Sequence, residues 1–174
     1  MKLTTRGRYG LRAMLELARC YDEPPVLMST LAKRERLSRK YLHALLAALK
    51  SAGLVRSVRG AGGGFTLSRR PSEIHLGEIL RAVEGPLSLV ECVSCAAACD
   101  RAQDCTARYV WQQLSGVIEH ALRGITLGKL IAMENRQGNK QVASLAGGAR
   151  RRGGSLRSGC PQRSRRSCGR TSTK

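Results

Sequence analysis

Cys92, Cys95, Cys99 and Cys105 stand within fourteen residues, in the spacing Cys-x2-Cys-x3-Cys-x5-Cys. Thiolates favour soft and borderline metals, so zinc and iron-sulfur clusters are the candidate ligands. Structural zinc sites usually draw on two close pairs set far apart, whereas these four form one run with unequal gaps, and that pattern favours a cluster. The competing reading is a group of buried or redox-active thiols without metal. Of the other three cysteines, Cys20 falls at helical spacing beside Leu17 and Tyr21 and reads as core, while Cys160 and Cys168 lie in an Arg-rich tail and read as incidental.

A second set of residues suits a polyanion. Ser38, Arg39 and Lys40 open a helical pattern, Tyr41 and His43 follow within a turn, and Arg56 and Arg59 precede Gly60, Gly62, Gly63 and Gly64. The N-terminal residues of a helix lying in the major groove reach base edges. A turn without side chains lets the backbone approach a sugar-phosphate rail, or lets Arg59 enter the minor groove. The plain alternative is a solvated basic face and a flexible turn. A nucleotide-phosphate loop is not supported, because Phe65-Thr66 follows the glycines and no Gly-Lys-Ser/Thr appears. His43, His75 and His120 are isolated, and there is no nucleophile elbow, no His-Glu-x-x-His and no paired-carboxylate motif, so no enzymatic activity is expected. The lone Trp111 reads as core or dimer packing.

The elements that must position these residues follow from periodicity and caps. Tyr9, Ala13, Met14, Leu17 and Ala18 predict a helix over 6–20, with Thr4 or Thr5 as cap. Ser29 is expected to cap a short helix through Leu31, Ala32 and Glu35, and Ser38 a longer one carrying Leu42, Leu45, Leu46 and Leu49 to a stop at Gly53. Residues 54–59 and 65–67 read as strands of a hairpin, and Ser72 is expected to cap a helix through Ile79 and Val83 that Gly85-Pro86 ends. From Thr106, apolar residues recur at three or four residues up to Gly124, and Thr126 restarts a helix through Met133. The order is that of a mainly α winged helix-turn-helix with a two-stranded wing and a long C-terminal helix. That helix exposes more apolar face than so small a core covers, which predicts a homodimer.

Charge follows the same division. Of 31 Lys and Arg and 12 Asp and Glu, residues 1–70 hold fifteen and four, residues 71–140 seven and eight, and residues 141–174 nine and none. A positive segment backed by a neutral one suits nucleic acid, because each cation placed on a phosphate releases a counterion. No transmembrane span and no secretory h-region are read, so a cytoplasmic location with reduced thiols and no membrane partner is expected. The division is 1–85 DNA-binding domain, 86–106 cysteine-rich loop, 107–136 dimerisation helix with a following short helix, and 137–174 disordered basic tail.

These residues resemble the IscR, NsrR and CymR family of bacterial winged-helix transcription regulators. The resemblance runs from Met1 to about Glu134 through Lys2-Leu3-Thr4, Arg6-Gly7-Arg8-Tyr9, Leu37-Ser38, Tyr41-Leu42, Gly53-Leu54-Val55, Ser57-Val58-Arg59-Gly60, Gly62-Gly63-Gly64-Phe65, Trp111 and Thr126-Leu127. It implies a homodimer that reads an operator in double-stranded DNA with the helix beginning near Ser38 and the wing around Arg59. Cluster-binding members use three cysteines of the loop, and Cys92, Cys99 and Cys105 match them with one extra residue between the first two; Cys95 is additional. Some members place a ligating His three residues after the last cysteine, where this chain has Arg108, and others use an acidic residue near the N-terminus, where it has Arg8. The fourth ligand is open between Cys95, Asp100, Asp104 and a group of the partner subunit, and a 2Fe-2S cluster is preferred over 4Fe-4S.

The expected function is therefore a DNA-binding transcription regulator, with repression the favoured sign, whose affinity is set by an iron-sulfur cluster sensing iron, redox state or nitric oxide. The alternatives are a metal-free regulator answering to a small molecule or protein partner, and a small iron-sulfur or zinc protein that binds nucleic acid nonspecifically.

Overall fold

Residues 3–60 and 62–136 are described by the computed structural model. Helix α1 (Thr5–Arg19) starts where the Thr4 hydroxyl accepts a hydrogen bond from the Arg6 amide, and it turns Ala13, Met14 and Leu17 into the core. Its free amides are also met from outside the helix. Glu84 Oε1 accepts from Thr4 N at 2.9 Å and from Gly7 N at 2.8 Å, and the Thr4 hydroxyl donates to the same carboxylate. A carboxylate at the positive end of a helix is stabilised. Burial opposes the charge, but the Thr4 and Gly7 hydrogen bonds outweigh it and hold the Glu84 carboxyl below its ordinary range.

Helix α2 (Met28–Glu35) and helix α3 (Arg39–Ser51) form the helix-turn-helix. The expected cap Ser29 lies inside the first turn of α2; Leu27 holds the cap position without a side-chain bond. The cause is tertiary: Val26 exchanges two 2.9 Å backbone hydrogen bonds with Phe65, which keeps the chain extended up to Leu27. Ser38 caps α3 as expected, accepting from Tyr41 N at 3.2 Å. Arg36, between the helices, has φ 55°, the one positive φ outside glycine among the described residues. Leu42, Leu45, Leu46 and Leu49 are each no more than 1% exposed, and Gly53 leaves the helix at φ 71°, where a side chain would be strained.

The wing is an antiparallel pair, β1 (Val55–Val58) and β2 (Gly64–Leu67), in register from Val55↔Leu67 to Val58↔Gly64. The expected cap Ser72 instead falls in a 3-10 turn, Pro71–Glu73, and helix α4 (Leu76–Glu84) begins after His75, whose amide donates to Glu78 Oε1 at 3.1 Å. Helix α4 starts no earlier because Ile74 and His75 are held extended where the chain pairs with 125–127: Leu127 N donates to Ile74 O at 3.0 Å and Leu76 N to Ile125 O at 2.8 Å.

A short helix α5 (Glu91–Ser94) and a 3-10 turn at Ala96–Ala98 shape the cysteine loop before helix α6 (Thr106–Arg123). Ser115 is the buried residue of α6; Tyr109, Val110, Trp111, Leu114 and Val117 are all at least 40% exposed. Residues 127–136 form a last helix, α7, which returns to the winged-helix core through Leu127 and Ile131, while Glu134 pairs with Arg19 at 2.7 Å. The basic tail of 137–174 lies outside the described residues.

Candidate nucleic-acid interface and thiol-bearing loop

Arg39, Lys40 and His43 lie exposed on α3, and their side chains make no hydrogen bond or ion pair among the described residues. From Arg36 to Arg70 the sequence has eight Lys and Arg and no Asp or Glu. Glu16 is buried and held by Arg19 and Arg34, and Glu35 is buried with Arg12 at 2.6 Å. These acids are spent on Arg12, Arg19 and Arg34, and the side chains of Arg39, Lys40 and Arg59 are left unengaged among the described residues.

Tyr41 takes a different place from its neighbours. It is half-buried, its ring meets Tyr9 edge-on with centroids 6.1 Å apart at 86°, and its hydroxyl is buried without a hydrogen-bond partner among the described residues. The ring therefore sets α3 against α1, and the guanidinium carbons of Arg8 and Arg12 lie 5.2 and 5.4 Å from the Tyr9 centroid. Ser38 likewise spends its hydroxyl on the cap of α3.

The wing is fixed to this face. Lys50 Nζ donates to Ser57 Oγ at 2.8 Å, and Arg56 Nη2 to Ser68 O at 2.9 Å. Arg59 is exposed and unengaged among the described residues. Gly62 and Gly63 differ here. A Cβ at Gly62 would meet open space; a Cβ at Gly63 would overlap Val58 O and lie 2.9 Å from Gly60 O. Gly63 is buried and donates its amide to Gly60 O at 3.0 Å. It shapes the tip, and Gly62 presents it.

The four loop thiols are free; Cys92 and Cys105 are half-buried, Cys95 and Cys99 exposed. By number and kind they fit a thiophilic metal or an iron-sulfur cluster. As the chain stands they do not close around one: no three His, Cys, Asp or Glu side chains converge on a metal-sized site among the described residues. Asp100 and Asp104 are exposed on the same loop. The loop is docked on α6. Leu89 N donates to Ser115 Oγ at 3.2 Å, and Arg108 donates from Nε to Cys92 O at 2.9 Å and from Nη1 to Ala102 O at 3.2 Å. Composition and spacing carry no sign of this use of Arg108 or of the Tyr9–Tyr41 contact. Both depend on how the chain folds back on itself.

The far end of α6 is tied to the winged helix. His75 Nδ1 donates to Arg123 O at 2.6 Å, and Glu119 pairs with Arg81 at 3.1 Å and with Arg123 at 3.2 Å. Among the described residues no helix is long and apolar enough to cross a membrane.

Residues 3–133 match the model of the Rrf2 family, described as an iron-dependent transcriptional regulator. The HTH-type transcriptional regulator IscR of Aliivibrio salmonicida is 39% identical over 131 residues, 75% of this chain and 77% of that one. Among solved structures, T. potens IscR is similar with a TM-score of 0.62 and 37% identity, covering 77% of this chain and 88% of that one. CymR of B. subtilis, its global cysteine regulator, is similar with a TM-score of 0.63 and 37% identity, covering 76% and 98%. These relatives regulate transcription and are not enzymes. Since the match over residues 3–133 takes in α3, the wing, the thiol loop and α6, the chain belongs to the Rrf2 family of winged-helix, DNA-binding transcriptional regulators.

Proposed function

We propose that this regulator is a homodimeric repressor of a duplex-DNA operator, and that an iron-sulfur cluster on the 92–105 loop sets its affinity in response to iron, redox state or nitric oxide. The observation that carries the reading is where the thiols are docked. Ser115 and Arg108 fasten their loop to α6, the helix on which Tyr109, Trp111, Leu114 and Val117 are exposed. A second copy would cover that face. Cys92, Cys99 and Cys105 are the proposed ligands, with Cys95 the nearest fourth; Asp100, Asp104 and a group of the partner subunit are the others. When bound, the cluster supplies a redox centre that also crosslinks the loop, and the 2Fe-2S type is preferred.

On the DNA side, Arg39, Lys40 and His43 are the proposed groove contacts and Arg59 the wing contact. Ser38, Tyr41, Arg56 and Gly63 hold these in place, and Gly62 offers open backbone. Two recognition helices reading successive major grooves must sit about 34 Å apart, so a change in how the loop meets α6 alters affinity through that spacing.

A second reading is favoured by the unconverged thiols and by the similarity to CymR, a cysteine regulator: a metal-free member answering to a small molecule or a protein partner. The experiment that decides is a visible spectrum with iron and acid-labile sulfide assays on anaerobically purified protein, with affinity for a duplex selected from a random pool measured loaded and empty. Stoichiometric iron and sulfide, absent after replacing Cys92, Cys99 and Cys105 by Ala, is the expected result. A protein that stays colourless after anaerobic reconstitution yet binds DNA establishes the second reading.

A further inference from the structure

Arg108 lies in the first turn of α6, half-buried, and its guanidinium holds main-chain carbonyls on both arms of the thiol loop, Cys92 O at 2.9 Å and Ala102 O at 3.2 Å. Those acceptors stand 16 and 6 residues away in sequence, so one side chain fastens both arms to the same helix. A guanidinium suits this work: it is a rigid fork of donors, without acceptors. Ala102 is carried inward to 4% exposure beside it. The thiols divide accordingly. Cys92, whose carbonyl Arg108 holds, and Cys105, the cap residue of α6, are half-buried, and the exposed Cys95 and Cys99 lie between them.

We propose that Arg108 is the positioning residue of the thiol loop. It keeps both arms on α6 before anything binds, so a thiophilic cation or cluster meets Cys95 and Cys99 first and is then closed onto the anchored Cys92 and Cys105. This rests on the reading of residues 92–105 as the ligand-binding loop. Position 108 serves the backbone and not the metal.

The test uses the full chain, metal-free and anaerobic, alkylated with N-ethylmaleimide over time, with each cysteine read by peptide mass spectrometry. In the wild type, Cys95 and Cys99 are expected to react about tenfold faster than Cys92 and Cys105. In Arg108→Gln, and in Arg108→Lys, which keeps the charge but loses the fork, the anchored pair should accelerate about tenfold. Buried Cys20 staying protected shows that the fold is intact. Four equal rates in the wild type, or unchanged protection in both variants, overturns the clamp. Cobalt(II) titration of the same proteins reads the site itself through the thiolate-to-cobalt charge-transfer band. No band at all, with the protection pattern intact, overturns the ligand-binding reading and the loading order while leaving the clamp standing.

Discussion

Replacing Gly63 by Ala should distort the wing, whereas replacing Gly62 by Ala should leave the fold untouched. A Cβ at Gly63 would overlap Val58 O and approach Gly60 O to 2.9 Å and the Arg59 carbonyl carbon to 3.0 Å; all three are main-chain atoms. Main chain cannot swing aside as a side-chain tip can, so the tip between β1 and β2 must open. Overpacking of this kind costs about 1–3 kcal/mol. For a domain of this size that is a fall of roughly 3–10 °C in Tm. The Gly63 hydrogen bond to Gly60 O goes with it, and Arg59, next to the distorted tip, loses its position. Affinity for a selected duplex, measured by fluorescence anisotropy at fixed salt, should fall about tenfold or more for Gly63→Ala. At Gly62 the Cβ meets open space, so stability should stay within about 0.5 kcal/mol. Loss of affinity by Gly62→Ala at unchanged Tm would mark that backbone as a DNA contact. A Gly63→Ala protein with wild-type Tm and wild-type affinity would refute the reasoning.

Arg59→Ala should weaken duplex binding about tenfold at matched salt, with a shallower salt dependence if the contact is to phosphate; unchanged affinity removes the wing from the interface. Because Glu84 is held below its ordinary value of 4.5 by Thr4 and Gly7, its contribution is present above that pH and lost as the pH falls through the lowered folded value. Urea denaturation from pH 7 to 3 should therefore show Glu84→Gln less stable near neutrality and converging on the wild type in acid; parallel curves would deny the link. Leu114→Glu with Val117→Glu should convert the protein to a monomer by sedimentation and abolish tight operator binding, while a dimer that persists would place the interface off α6.

Where local rules decide structure, the sequence was informative. Thr4 and Ser38 cap the helices expected of them, Gly53 takes the left-handed exit, and the heptad-like run from Thr106 to Gly124 is the long helix. Ser29 and Ser72 misled for one reason: each stands beside a segment that pairs with distant chain, Val26 with Phe65 and 74–76 with 125–127, and those hydrogen bonds hold the backbone extended past the serine or short of it. The site divides in the same way. Cationic residue types and cysteine spacing are visible in one dimension. The inward turn of Tyr41, the packing of Gly63 under Val58 and the grip of Arg108 on two loop arms depend on contacts between residues brought together only by folding.

Helix α6 is held at its beginning by the loop and at its end by the pairing of 74–76 with 125–127, where His75 grips Arg123 O and Leu127 enters the winged-helix core. A rod of eighteen residues is about 27 Å long at about 1.5 Å per residue. Such a rod behaves as a lever whose pivot is the 125–127 seam. A tilt of about 4° there displaces the Cys105 end by about 2 Å, following from the length of an ideal helix. Run in reverse, a loop that shortens by the width of a single atom turns the pivot by only a few degrees. The seam adjoins α4, which in turn packs on α3, so under the proposed function the long arm of the lever lies at the thiols and the short arm at the DNA.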